Sequence, residues 1–134
     1  VLTPHPGEMA KLLACDSEAV QRYRLEAARA LARASGAHVV LKGASTVIAR
    51  PSGRVELIPR GNPGMSTGGS GDILTGIIGG LLAQGVEPEL AVHGGVHLHS
   101  WAGDLAASAH GEAALIASDL LESLAGLLGA KASP

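Results

Sequence analysis

Aromatic side chains are nearly missing: across 134 residues there is one Trp, one Tyr and no Phe. That leaves no stacking platform for bases, and a core has to be assembled from Ala, Leu, Val and Ile. Charge is sparse and balanced. With 16% charged residues and a formal net charge of −2, the chain has no basic surface to offer nucleic acid. Cys15 stands alone, which excludes an internal disulfide and suits a reducing compartment. No run is apolar for long enough to span a membrane and no secretory leader opens the sequence, so a cytoplasmic location and no membrane partner are the expectation. What remains, 46% hydrophobic residues, is enough for one domain with a true core over residues 1–134.

Glycine is abundant, and it concentrates. Residues 61–76 read GNPGMSTGGSGDILTG, crowding glycine, small hydroxyl residues and one carboxylate just ahead of an apolar run. Glycine lets a backbone approach a ligand closely, and Ile73, Leu74, Ile77, Ile78, Leu81 and Leu82 have the spacing of a helix face. Gly71 and Asp72 are therefore expected at a helix start, where free amide N–H groups and the positive end of the helix dipole favour phosphate or another developing negative charge. Asp72 is the one group in the loop able to accept a proton. The stretch is not a P-loop, which needs Gly-Lys-Ser/Thr. Nor is it a dinucleotide fingerprint, which starting at Gly69 would need glycine where Leu74 stands. A flexible linker is the plainer alternative, but linkers rarely run straight into an apolar helix pattern.

The rest of the chain reads as α/β. Residues 1–4 suggest the end of a strand that enters a turn and a short helix at 8–13, an abrupt start expected of a fragment. Pro4 and Pro6 fix the turn's backbone, so His5 and Glu8 either face a ligand at a strand's carboxyl end or make a plain turn with Glu8 as a helix N-terminal charge. Asp16 or Ser17 caps a helix that runs to Ser35 and is ended by Gly36, with Arg22, Arg24, Arg29 and Arg33 on a solvated face. Residues 38–42 form a buried strand, its apolar run Val39-Val40-Leu41 unbroken as in parallel strands. Lys42, Gly43, Ala44, Ser45 and Thr46 follow, a turn that suits either a phosphate or nucleotide edge or a simple strand-to-strand connection. Residues 46–50 and 54–58 are the arms of a hairpin. After the helix at 73–84, helices at 89–109 and 113–128 complete the chain, the last breaking after Ile116 with Ser118 as its cap, and the tail 129–134 frays.

His93 and His97 stand four apart with His99 beyond, yet a zinc enzyme would want a third ligand and a HExxH-like base, and here Gly94, Gly95 and Val96 intervene. Packed or surface histidines are the expectation. Cys15, without a CxxC partner, reads as a small apolar filler, and Asp104 as a polar-face residue of its helix.

Taken together, LTPHPGEM at 2–9, VVLKGASTVIA at 39–49 and GNPGMSTGGSGDILTGIIGGLLAQG at 61–85 resemble the ADP/ATP-dependent NAD(P)H-hydrate dehydratases of the ribokinase-like superfamily. GVHLHSWAGDLAA at 95–107 and ASDLLESL at 117–124 continue the likeness nearly to the end. The resemblance implies a three-layer α/β/α fold with a mainly parallel sheet, of which this chain is the C-terminal part. It implies repair of hydrated NADH or NADPH, in the S form, with ADP or ATP as co-substrate and Mg²⁺ as the metal. Residue by residue, it makes Asp72 the catalytic base on the substrate hydroxyl and His5 a contact to the hydrated nicotinamide nucleotide. The nucleotide-binding positions are Lys42, Gly43, Ala44, Ser45 and Thr46, then Asn62, Pro63, Gly64, Met65, Ser66, Thr67, Gly68, Gly69, Ser70 and Gly71. The amides of Gly69, Ser70, Gly71 and Asp72 become an anion hole for the transferring phosphoryl group, and Glu8 acts on Mg²⁺ through water. The resemblance leans towards ADP and a homo-oligomer, and some relatives carry an epimerase domain. Two alternatives remain open: a small-molecule kinase of the same superfamily, and a nucleotide-binding fragment without turnover.

Overall fold

The computed structural model describes residues 1–129. The tail expected to fray lies, from residue 130 onward, outside the described residues. The chain opens with helices α1 (Pro6–Leu12), α2 (Ser17–Arg22) and α3 (Arg24–Ser35), and continues with strands β1 (Val39–Leu41), β2 (Thr46–Ala49) and β3 (Val55–Ile58). Helices α4 (Ser70–Ala83), α5 (Pro88–His110) and α6 (Ala117–Gly129) follow, with 3₁₀ turns at Pro63–Ser66 and Glu112–Ala114.

The three strands lie in the order β1-β2-β3, and both pairings are antiparallel. These three strands do not show the mainly parallel sheet that the resemblance implied for the whole domain. The reason is the connection: a parallel crossover needs a dozen or more residues, and only residues 42–45 separate β1 from β2. Parallel pairing survives on the other side of β1 as an isolated bridge from Leu2 to Val39. There the Leu2 amide donates to His38 O at 2.8 Å, the Val40 amide to Leu2 O at 2.8 Å, and the Lys42 amide to Pro4 O at 2.9 Å.

Three layers follow from side-chain alternation along these strands. Val39, Leu41, Val47 and Ala49 face Met9, Val20, Ala28, Leu31 and Ala32 of α1 to α3. Val40, Ile48 and Ile58 face Leu74 and Ile78 of α4 and Val92 and Val96 of α5. Covered on both faces, β1 is buried at every residue. A third cluster, Ala106, Leu115 and Leu120 with Met65 and Ile73 against it, joins α5 and α6 to the glycine loop. No helix among the described residues is long and apolar enough to cross a membrane.

Several local expectations change. The single helix ending at Ser35 is broken at Tyr23, whose backbone leaves the helical region at φ −124° and ψ 50°. Asp16 makes the cap of α2, its Oδ1 accepting from the Ala19 amide at 2.6 Å. The final helix starts after Ile116 as expected, but Asp119 rather than Ser118 completes its start, its Oδ2 accepting from the Ile116 amide at 2.9 Å. Cys15 is exposed, not an apolar filler. The arginines of α3 are not a purely solvated face either: Arg29 Nε donates to Gly53 O at 3.0 Å, and Arg24 turns inward to the β1–β2 connection.

Candidate active site

Three segments meet where β1 ends. The first is the start of α1, where His5 acts as N-cap: its Nδ1 accepts from the Gly7 amide at 3.1 Å and the Glu8 amide at 3.3 Å. Glu8 Oε2 reciprocates, accepting from the His5 amide at 2.7 Å, which makes a capping box with histidine in the usual Ser/Thr place. That hydrogen bond chiefly, with Lys42 nearby, holds the Glu8 carboxyl below the usual carboxylate range although partial burial opposes it. The plain-turn reading is therefore met at Glu8, and His5 besides capping the helix lines the cavity described below.

The second segment is residues 42–46. Lys42 Nζ lies 3.8 Å from Glu8 Oε2 and is so close over Gly71 that a Cβ there would stand 2.9 Å from it. Arg24 braces this turn from behind, its Nη2 donating to the carbonyls of Leu41, Lys42 and Ser45 at 3.2, 3.3 and 3.4 Å. Ser45 takes a left-handed backbone, φ 54°, which a non-glycine residue adopts only when its surroundings hold it there. Burial lowers the Arg24 pKa, and no ion pair among the described residues includes it.

The third is the glycine loop with the first turn of α4. Asn62 Nδ2 donates to Gly103 O at 3.0 Å and to Asp104 Oδ1 at 3.2 Å, so Asp104 anchors the loop rather than merely facing solvent. Met65 packs onto Gly103, and Gly64 lies against the backbone of Glu112, whose Cα is 2.9 Å from where a Cβ would be. Backbone cannot yield as a side chain can. Gly64→Ala is expected to cost about 1–3 kcal/mol, read as a lower Tm in thermal unfolding. Gly68→Ala, with open space at its Cβ, serves as the control and should stay near the parent value.

Gly69 caps α4 in the left-handed conformation, φ 91°, which is why glycine is required there. Of the four amides expected to form an anion hole, that of Asp72 already donates to Gly69 O at 3.0 Å and that of Ser70 weakly to Thr67 O at 3.4 Å. Those of Gly69 and Gly71 have no partner among the described residues. Thr3 Oγ1 and Thr75 Oγ1 sit 3.0 Å apart, and Thr75 Oγ1 donates to Gly71 O at 3.1 Å, so the chain's first residues are tied directly to this turn.

Together these segments enclose a cavity of about 700 Å³, a size usual for small-molecule sites. The wall includes His5, residues 42–46, Asn62, Pro63, Met65, Ser66, Thr67, Ser70 and Gly71. Glu8, Gly64, Gly68, Gly69 and Asp72 are not part of it; Asp72 is exposed in the first turn of α4, beside Gly71. Wall residues that sequence reasoning did not assign to a site include Arg60, exposed just before the loop, and His99 and Ser100, buried beneath it. The other histidines differ, His97 being exposed and His93 lying 3.6 Å from Glu56 in a cluster with Arg50 and Glu89.

Among the described residues no group of three His, Cys, Asp or Glu side chains could hold a metal by itself. Magnesium does not require one, since it keeps several waters and binds mainly to substrate phosphates with one or two carboxylates. The half-exposed, ionised Glu8 next to the cavity fits a water-mediated contact of that kind.

Comparison with known proteins gives this geometry its context. A bifunctional NAD(P)H-hydrate repair enzyme from Moorella thermoacetica is 55% identical over 124 residues, covering 92% of this chain and 23% of its own length. The crystal structure of an ADP/ATP-dependent NAD(P)H-hydrate dehydratase from Bacillus subtilis, co-crystallized with ATP/Mg²⁺, superposes with a TM-score of 0.89 at 37% identity, covering 96% of this chain and 47% of that one. A ribokinase-like superfamily protein from Enterococcus faecalis follows at TM-score 0.79 and 33% identity, with 96% of this chain and 43% of that one covered. The chain thus has a ribokinase-like fold and spans about a quarter to half the length of these relatives. The NAD(P)H-hydrate dehydratase family model matches residues 1–125, through every segment that builds the cavity, and the chain belongs to that family.

Proposed function

We propose that the protein dehydrates the S form of NADH or NADPH hydrate, with ADP or ATP as phosphoryl donor, and so restores the reduced nicotinamide nucleotide. The observation that carries this reading is Lys42 lying over Gly71 at the start of α4, with a nucleotide-sized cavity on one side and Asp72 just outside its wall. The adenine nucleotide lies along residues 42–46 and 62–71. Its terminal phosphate meets the free amides of Gly69 and Gly71 and the Lys42 ammonium, donors aimed where negative charge develops.

Asp72 accepts the proton of the ring hydroxyl as that oxygen attacks the terminal phosphorus; the new O–P bond forms while the bond to the departing AMP or ADP breaks. Phosphate leaves far more readily than hydroxide. The ring C–O bond then breaks and its electron pair leaves with phosphate, the neighbouring ring carbon gives up a proton to that phosphate or to water, and the double bond of the reduced ring returns. His5, at the cavity wall, is placed to contact the hydrated nucleotide. Bound Mg²⁺ supplies charge neutralisation on the phosphates, with Glu8 holding its water shell.

The name of the Moorella relative and the share of it covered here support a second, epimerase domain in the whole protein, with this chain as part of the dehydratase domain. Exposed Trp101, Leu121 and Leu128 on α5 and α6 support a homo-oligomer, and the nicotinamide substrate suits the cytoplasm.

The test supplies NADH hydrate, ADP and Mg²⁺ and follows both the return of reduced-nicotinamide absorbance and phosphate release. Equal amounts of each are expected. A phosphorylated product without absorbance would mean a kinase, and nucleotide binding without either signal a protein that binds but does not turn over.

A further inference from the structure

His99 is a buried titratable group that the chemistry above does not use. It projects from α5 beneath the start of α4, with Nε2 2.9 Å from Ser70 O and 3.2 Å from Ser70 Oγ. A carbonyl oxygen only accepts, so Nε2 carries the hydrogen. Burial, reinforced by the nearby Lys42 charge and only partly offset by the Ser70 hydrogen bond, pushes the imidazole below the ordinary histidine range, which favours the neutral ring.

Two consequences follow from that tautomer. A nitrogen that donates cannot also accept, so the Ser70 hydroxyl hydrogen has no acceptor on His99; both residues line the cavity. The second concerns the backbone. Ser70 C=O and Gly71 N–H belong to one planar trans peptide unit and point in opposite directions, so holding the carbonyl aims the amide. A donor on the carbonyl also polarises the unit and strengthens the N–H at its other end. That N–H is one of the two unpartnered amides at the helix start.

We propose that His99 is a positioning residue: through its Nε2–H it aims two donors, the Gly71 amide and the Ser70 hydroxyl, at the terminal phosphate of a nucleotide in the cavity. This rests on the adenine-nucleotide reading above, but it is independent of whether hydrate is the second substrate.

The experiment compares ADP with adenosine binding for the parent protein, His99→Leu, His99→Gln and Ser70→Ala. His99→Leu is expected to weaken ADP on the order of tenfold and to leave adenosine unchanged. His99→Gln, whose amide N–H can still reach the Ser70 carbonyl, should recover most of the loss. Ser70→Ala should lose part of the ADP preference while keeping the Gly71 contribution. In the parent protein, nitrogen-15 NMR should find His99 neutral and protonated on Nε2 at neutral pH, a measurement that stands even if His99→Leu does not fold. The Nδ1–H tautomer, an unchanged ADP preference in His99→Leu, or no ADP preference in the parent would each overturn the proposal. An ADP preference that tracks His99 in a protein that does not dehydrate hydrate would overturn the function proposed above and leave this inference standing.

Discussion

Asp72→Asn is expected to bind ADP as the parent protein does and to turn over NADH hydrate about 10²- to 10⁴-fold more slowly. The asparagine keeps the size of the side chain and its place in the first turn of α4, but it cannot take a proton from the ring hydroxyl. Asp72 lies outside the cavity wall, exposed, so its loss leaves the nucleotide's seat intact. The effect should therefore fall on kcat, with the KM for ADP nearly unchanged, as steady-state kinetics at varied ADP would read. A raised KM for ADP with kcat little changed would mean instead that Asp72 helps seat the nucleotide and that the proton goes elsewhere.

Lys42→Met should behave in the opposite way. Methionine preserves the apolar stem over Gly71 but removes the one Lys or Arg side chain, among the described residues, found both on the cavity wall and in contact with the helix start. A hydrogen bond to a charged group is worth about 1.5–3 kcal/mol, so ADP affinity should fall about 10- to 150-fold while adenosine is unaffected. Part of that loss comes from Glu8, whose carboxylate would face the phosphates without the ammonium 3.8 Å away. Adding Glu8→Gln should then recover some nucleotide affinity in the absence of Mg²⁺. Calorimetric titration of the single and double variants measures both effects, and full ADP affinity in Lys42→Met would contradict the assignment.

The places of these two side chains were legible because local pattern reveals them: glycine crowded ahead of a 3.6-residue apolar period marks the helix start that holds Asp72, and a lysine after an apolar strand marks the strand end at which the cavity lies. The same apolar run, Val39-Val40-Leu41, said that β1 is covered on both faces but nothing of strand direction. The four-residue connection to β2 carried that information, and it requires the antiparallel pairing found. Arg24 read as solvent-facing because helical periodicity carries no trace of carbonyls contributed by a turn 17 to 21 residues later. Asn62 with Asp104, and Ser70 with His99, are joined by tertiary packing of α5 against the loop across 42 and 29 residues. No spacing rule reaches that far. A histidine in a helix has many uses, and only the distance to Ser70 O distinguishes this one.

In the proposed mechanism the ring hydroxyl leaves as phosphate. NADH hydrate carrying oxygen-18 in that hydroxyl, incubated with ADP, Mg²⁺ and the protein in ordinary water, tests it most directly. Mass spectrometry of the released phosphate should find one labelled oxygen for each hydrate restored to NADH. Unlabelled phosphate, with the label recovered in water, would show that nucleotide hydrolysis and dehydration are separate events, and the phosphorylation mechanism would be wrong.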